Sequence, residues 1–259
     1  MKDLMISALK VSGNVLLDFF DKPLETKQKE SQSSIVTEAD LASEKVIMEL
    51  IEKRYPGHSI LSEECGFLDR KSEFTWVIDP LDGTSNFASG IPWFGVLITL
   101  FRNDRPLMGG AYLPVQDDIY FAEEGKGAFK NDRPLPEIKD RSIRDSLVAF
   151  CLDYSDDEAF LNKGLETFKY IIRNSRNTRS TNSLVDFLYV AEGKFGGVMN
   201  LFTKVWDISA PGLIISEAGG VMTDIGGNPI SFNMGSAIIA ENFPVIAGNK
   251  AVAKSIRIL

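Results

Sequence analysis

Between positions 76 and 87 the chain reads Trp-Val-Ile-Asp-Pro-Leu-Asp-Gly-Thr-Ser-Asn-Phe. A short run of strong β-formers ends in two aspartates, Asp79 and Asp82, with Pro80 and Leu81 between them. Hard cations such as Mg²⁺ take oxygen ligands: a few carboxylates, carbonyls, water and substrate phosphate. Proline fixes φ and removes a donor, so the turn after Pro80 can aim both carboxylates, and the carbonyl between them, at one point. Gly83 allows a ligand close to the backbone. If Gly83-Thr84-Ser85 opens a helical turn, its free N–H groups would cradle a phosphate, and Thr84 adds a hydroxyl.

Two more acidic positions belong with this pair. Glu63-Glu64 follows the strand-like Ser59-Ile60-Leu61, and Asp207 sits at a helix start. Carboxylates from separate element ends can hold two cations a few Å apart, a device suited to phosphate-ester hydrolysis. Taken singly, each has a plainer reading. Asp-Pro-x-Asp-Gly is good turn chemistry. Glu63-Glu64 reads as a solvated strand end, Asp207 as a helix cap and Asp40 as a first-turn helix charge. Their combination is what points to a metal site.

Other catalytic chemistries lack parts. The only histidine, His58, reads as a loop or surface residue without a partner motif. Cys65 and Cys151 have no CxxC partner and read as free thiols of a reducing cytoplasm. Cys–His and Ser–His catalysis are therefore short of candidates. The net charge of −8 argues against nucleic-acid binding, which needs a positive surface. It leaves anionic substrates open, because bound cations invert the local field. Nothing approaches the ~18 apolar residues of a membrane span, and the first residues read as an amphipathic helix and not as a signal peptide.

The elements that must position these groups follow from periodicity. In the first helix Leu4, Ala8, Val11 and Val15 share a face, with Met5, Leu9 and Leu16 beside it. The polar stretch from Glu25 to Ser34 reads as a mobile loop or edge hairpin. Thr37-Glu38-Ala39-Asp40 is a capping-box-like start to a helix reaching about Arg54, with Ala39, Val46, Ile47, Leu50 and Ile51 buried. Short β-rich runs from Ser59 to Leu135, separated by turns, read as an antiparallel meander. After Arg144 strands and helices alternate: strands at 147–152, 195–199, 221–223, 237–240 and 245–246, helices at 156–173, 183–192, 208–218 and from Lys250. The expectation is an α+β half over residues 1–143, carrying most of the acidic cluster, and an α/β half over 144–259 contributing Asp207.

With these motifs in order, the sequence resembles the inositol monophosphatase family of lithium-sensitive, magnesium-dependent phosphatases. The resemblance rests on Ser62-Glu63-Glu64, on the stretch from Trp76 to Phe87, on Trp206-Asp207-Ile208-Ser209-Ala210 running into Ser216-Glu217-Ala218-Gly219-Gly220, and on Ile35-Val36-Thr37-Glu38-Ala39-Asp40. It implies a layered α-β-α-β-α sandwich of the inositol monophosphatase and fructose-1,6-bisphosphatase type, commonly a homodimer. It implies two to three Mg²⁺ ions, the first held by Glu63, Asp79 and the Leu81 carbonyl, the second by Asp79, Asp82 and Asp207. Asp40 and Thr84 would polarise the attacking water, Gly83 and Thr84 would bind phosphate beside Ser85, and Glu64 would stand behind the metal ligands. The substrate implied is a small phosphorylated metabolite such as inositol 1-phosphate, with no nucleic-acid or membrane partner.

Departures from the family pattern concern the substrate. Asn200 stands where an acidic residue contacts ring hydroxyls. Thr181-Asn182-Ser183 replaces a Gly-Ser/Thr-Ala segment that touches the substrate, and the preceding arginine is displaced to Arg179. Pro211 falls early in the helix after Asp207, so that helix either starts near Ser209 or has a distorted first turn. Fructose 1,6-bisphosphate, 3′-phosphoadenosine 5′-phosphate and histidinol phosphate stay open as substrates. So do an aspartyl-phosphate mechanism, whose motif has a single residue between its aspartates, and a partner-binding role without catalysis.

Overall fold

The computed structural model describes residues 1–22, 26–28 and 35–256. Its elements run α1 (Lys2–Phe19), β1 (Thr26–Gln28), β2 (Ile35–Thr37), α2 (Glu38–Arg54), β3 (Ser59–Ser62), β4 (Gly66–Leu68), β5 (Phe74–Asp82), α3 (Thr84–Ala88), β6 (Gly95–Arg102), β7 (Arg105–Leu113), β8 (Asp118–Glu123), β9 (Ala128–Lys130) and β10 (Arg133–Pro134). There follow β11 (Leu147–Cys151), α4 (Glu158–Asn174), β12 (Asn177–Arg179), α5 (Leu184–Ala191), β13 (Gly197–Asn200), α6 (Val205–Glu217), β14 (Val221–Asp224), β15 (Val245–Gly248) and α7 (Lys250–Ser255).

Two large sheets organise these elements. The eight-stranded sheet has the order β10-β9-β8-β7-β6-β5-β3-β4, and the five-stranded sheet β12-β11-β13-β15-β14. One face of the larger sheet is covered by α1 and α2 through Met5, Leu9, Leu16, Ile47, Ile51, Trp76 and Phe94. Between the sheets lie α5 and α6, whose Leu184, Leu188, Trp206, Ile208, Ile214 and Ile215 join Val77, Leu97, Phe101, Val198 and Ala247 in one core. Helices α4 and α7 cover the outer face of the smaller sheet through Ile171, Val252 and Ala253. The result is the expected α-β-α-β-α sandwich. A helix in its middle layer must be apolar nearly all round, and α6 buries residues on every side.

Several local readings need correction. In α1 the buried face is Met5, Ala8, Leu9, Ser12, Gly13 and Leu16, whereas Val11 is 40% exposed. Two apolar stripes overlap there, and small Ser12 and Gly13 win the inner position because they let the helix approach Tyr112 and Ser43. The sheet is not wholly antiparallel, since β3 runs parallel to β5, with β4 turning back on its outer side. Residues Ala237–Ala240 form no strand; Ser236–Ile239 is a 3₁₀ turn burying Ile238. Short β4, β10 and β12 carry too few apolar residues to signal themselves. Of the polar stretch from Glu25, Thr26–Gln28 pairs antiparallel with β2, and the remainder lies outside the described residues. His58 is no free surface residue: it stacks between Tyr55 and Phe74, and its Nδ1 accepts a 3.1 Å bond from Trp76 Nε1.

Close approach between layers depends on particular glycines. Gly109 of β7 faces α6, and a Cβ placed there would stand 3.0 Å from Ala210 Cα and 3.1 Å from its carbonyl oxygen. Ala210 lies one turn along from Asp207. Gly109→Val should therefore destabilise the chain by about 1–3 kcal/mol through overpacking, outweighing the gain in β-propensity, which spans at most about 1 kcal/mol. Urea denaturation measures this, and a variant as stable as the wild type would contradict the packing argument.

Candidate metal centre and active site

Asp79 and Asp82 are three residues apart, and a regular strand would send them to opposite faces. The pairing of β5 with β6 resolves this. Asp79 pairs with Leu97 and Asp82 with Gly95, so the register shifts between them and an extra residue is accommodated in a bulge. The backbone groups of the bulge are occupied. The Leu81 N–H donates to Asp79 Oδ1 at 3.0 Å, the Leu81 carbonyl accepts from Thr84 Oγ1 at 3.0 Å, and the Pro80 carbonyl accepts from Ser43 Oγ at 2.6 Å. Pro80 itself has no N–H to satisfy. Gly83 follows at φ 83°, and a Cβ there would meet the Trp93 carbonyl at 2.6 Å. Conformation and space both require glycine.

The third carboxylate arrives from the middle layer. Helix α6 begins at Val205, earlier than expected, so Asp207 is in its first turn and not its cap. Its Oδ2 accepts the Lys204 N–H at 2.7 Å, satisfying an otherwise unpaired donor. Pro211 then lies inside the helix, past the first turn, where it is buried in the middle layer. The Leu184 N–H at the start of α5 donates to Asp82 Oδ1 at 2.6 Å, tying the middle layer to the end of β5.

The structure brings Asp79, Asp82 and Asp207 together, with carboxylate oxygens all within 4.8 Å of one another. Glu63 lines the same cavity, with its N–H bonded to the Ile78 carbonyl at 3.2 Å. Glu44 of α2 accepts the Cys65 N–H at 2.9 Å and so fixes the turn beyond Glu63. Asp40 is buried beside this group. Its Oδ2 accepts from the Thr37 N–H at 2.8 Å and the Thr37 hydroxyl at 2.6 Å, the capping box seen in the sequence, while Thr84 Oγ1 lies 3.2 Å from Oδ1, so that its single proton goes either to Asp40 or to the Leu81 carbonyl. Thr84 thus stands between Asp40 and the Leu81 carbonyl.

The cavity has a volume of about 500 Å³. Leu81, Gly83, Thr84, Ser85, Asn182, Ser183 and Asn200 line it, as expected. Thr181 does not; it serves through its backbone, its N–H donating to Asp186 Oδ2 at 3.0 Å and its carbonyl accepting from Asn86 at 2.8 Å. Arg179 and Glu64 are not among the lining residues either. Missed in the sequence were Asp153, Tyr154, Phe187, Phe202, Lys204 and Asn242. The available signal was position: Asp153 and Asn200 lie at the C-terminal ends of adjacent strands β11 and β13, where ligands of such sheets bind.

Burial and mutual repulsion raise the pKa values of the central carboxyls. Burial, then the charges of Glu63, Asp82 and Asp207, hold Asp79 well above the usual range. Burial raises Asp82 to about 7, helped by the Glu63 and Asp186 charges and opposed by the Leu184 N–H. Asp207 is raised by burial and by Asp82 and Glu63, against the Lys204 N–H and a hydrogen bond with Asp79. Neither thiol is primed as a nucleophile. Burial and Glu44 push Cys65 up to about 12, and burial and Asp186 push Cys151 upward.

The sequence profile described as "Inositol monophosphatase family" matches residues 1–257. A protein of Aquifex aeolicus named fructose-1,6-bisphosphatase/inositol-1-monophosphatase is 35% identical over 251 residues, covering 95% of this chain and 89% of that one. A Nus factor SuhB of Pasteurella multocida is 34% identical over 244 residues, covering 93% and 91%. Among solved structures, the extragenic suppressor protein suhB from Bartonella henselae matches with a TM-score of 0.88 at 28% identity, covering 98% of this chain and 96% of that one.

The raised pKa values fix the direction of a pH effect. Protons held by the folded, cation-free protein but not by the unfolded chain stabilise it at low pH, and this stability falls as pH rises from about 4 towards 7. A divalent cation must displace those protons. Mg²⁺ should therefore bind more tightly, and raise the melting temperature more, at about pH 8 than at about pH 5.5. Calorimetric titration in buffers of different ionisation enthalpy would count the protons released; pH-independent binding without proton release would refute the assignment.

Proposed function

Because this chain belongs to the inositol monophosphatase family, matched along residues 1–257, we propose that it hydrolyses a small phosphate monoester with Mg²⁺, using water as nucleophile. The observation that carries this reading is the convergence of the Asp79, Asp82 and Asp207 oxygens within 4.8 Å. Three carboxyls crowded in this way, with pKa values raised by burial and by neighbouring acidic charges, form a donor set that a hard divalent cation suits.

Glu63, Asp79 and the Leu81 carbonyl would hold one ion, and Asp79, Asp82 and Asp207 the other, with a third near Glu63. When bound, Mg²⁺ neutralises phosphate charge and lowers the pKa of water. The protein's own part is orientation and proton handling. With the Leu81 carbonyl given to an ion, Thr84 Oγ1 would donate its single proton to Asp40 Oδ1, leaving its lone pairs to accept from a water molecule, and Asp40 would take up the proton passed on from that water through Thr84. The Gly83 and Thr84 N–H groups, with Ser85, bind the phosphoryl oxygens. The P–O bond to the alcohol breaks, water supplies the new oxygen, and alcohol and inorganic phosphate leave. Two residues separate Asp79 from Asp82, and each is held by a backbone donor, Asp79 by the Leu81 N–H and Asp82 by the Leu184 N–H, which does not suit either as an attacking group. A homodimer and a cytoplasmic location belong to the same proposal; sedimentation tests the first.

The relatives named as Nus factors favour a second reading, a partner-binding role beside hydrolysis. An inert variant separates the two, since it would lose turnover and retain the partner.

Loss of a group that merely supports metal ligands costs about 10–100-fold, so Asp82→Asn and Asp207→Asn should each lower kcat by at least about 100-fold. Inorganic phosphate release from inositol 1-phosphate measures this. Wild-type turnover in either variant, or recovery of a phospho-aspartate after quenching, would overturn the water mechanism. Lithium at millimolar concentration should inhibit the wild type.

A further inference from the structure

The roles above leave several residues of the same cavity unassigned: Asp153, Tyr154, Asn182, Asn200, Lys204 and Asn242. Asn200, which replaces the acidic contact to ring hydroxyls, is not a charged acceptor, and its Oδ1 accepts from the Phe202 N–H at 3.1 Å. The neighbouring strand places a carboxylate beside it. Cys151 and Asn200 are register partners on parallel β11 and β13, and Asp153 lies two residues beyond Cys151.

Asp153 is held in place. Its Oδ1 accepts from Asn182 Nδ2 at 2.9 Å. Asn182 adopts φ 50°, a conformation asparagine tolerates well, and its N–H donates to buried Asp186 Oδ2 at 3.1 Å. Two residues further on, the Leu184 N–H bonds Asp82. The Asn182 amide thus orients the Asp153 carboxylate, the acidic group that the neighbouring strand supplies near the uncharged Asn200.

We propose that Asp153 determines specificity for the alcohol half of the substrate, accepting hydrogen bonds from its hydroxyls and repelling a second phosphate, so that the substrate is the monophosphate of a neutral polyol. This rests on the hydrolase reading above. A second phosphate needs several charge-assisted donors. Among the described lining residues Lys204 is the only basic side chain, its Nζ is already bonded to the Ala240 carbonyl at 3.2 Å, and Asp153 lines the same cavity. An ammonium group would suit the carboxylate, but it only donates. The amides of Asn182, Asn200 and Asn242 add both donors and acceptors, which match hydroxyls.

The test is steady-state kinetics with Mg²⁺ on inositol 1-phosphate, histidinol phosphate and fructose 1,6-bisphosphate, for the wild type and Asp153→Asn. The wild type should give its highest kcat/KM with inositol 1-phosphate. Replacing a charged acceptor by a neutral one should raise KM for that substrate about ten-fold, with kcat changed less than about three-fold. KM for the bisphosphate should fall. Asn182→Ala should shift KM the same way by a smaller factor. Equal effects on all three substrates, or none, would overturn the specificity role. A wild-type preference for the bisphosphate would do so without any variant, and a preference for histidinol phosphate would overturn the polyol assignment. Absence of turnover on every substrate would instead defeat the hydrolase reading on which the inference rests.

Discussion

Like charges that are forced together constrain everything else in this molecule. Two unit charges about 4 Å apart repel by about 4 kcal/mol at the effective dielectric of a protein surface. Asp79, Asp82 and Asp207 meet within 4.8 Å, with Glu63 on the same cavity. Side chains on mobile loops would swing apart under that repulsion. Here each is fixed by a backbone donor: Leu81 for Asp79, Leu184 for Asp82 and Lys204 for Asp207. Those donors belong to a central strand and to the starts of both middle-layer helices. The sandwich is in this sense a frame that keeps acids together until a cation neutralises them.

The bulge at residues 79–82 is the most economical part of that frame. Removing it would restore period-two alternation and turn one of the two aspartates away from the site. It persists because nothing in it is left unpaired. Pro80 lacks the N–H that the irregular register would strand, and its carbonyl is taken by Ser43 of α2. Ser43 also bonds Ser12 of α1 at 2.6 Å, so the first two helices are tied to the bulge by a buried hydroxyl relay. These polar side chains explain why the inner face of α1 is not its most apolar stripe.

What was legible in the sequence was what local order encodes. Thr37 with Asp40, and Asp79 through Thr84, are each contiguous, so turn and cap chemistry exposed them. The layered fold followed from a meander giving way to alternating helices and strands. Long-range pairing was not legible. In sequence, parallel β3 and β5 are separated by the hairpin strand β4, whose three residues, Gly66-Phe67-Leu68, are too short to show a period. Ser-Ala-Ile-Ile at 236–239 offers no period, and the lone buried Ile238 fits a 3₁₀ turn as well as a strand. The position of Asp207 was off by a turn because the α6 start lies at Val205-Trp206, apolar residues that belong to the middle-layer core. Asp153 and Lys204 carried no motif; only strand register and a shared cavity make them neighbours of the metal ligands.

The two ends of the cavity obey different energetics, and one short segment joins them. At the carboxylate end the charges are large, and on the proposed reading any dianionic phosphate would be served by the same cations and N–H groups. Selection there is weak because every phosphate monoester presents the same group. At the rim the differences are smaller, but they act on the part that varies between substrates. A buried polar group left unpaired costs a few kcal/mol, enough to separate substrates by orders of magnitude. Residues 181–184 reach both ends: Asn182 bonds Asp153, and Leu184 bonds Asp82. Asp186 anchors the segment from below through the Thr181 and Asn182 N–H groups. Side chains in this segment can therefore change the rim while the backbone bond to Asp82 is kept. Relatives bearing the names of different phosphatases are compatible with one carboxylate cluster on the proposed reading, since the acids would serve the phosphate while side chains of this segment serve the alcohol.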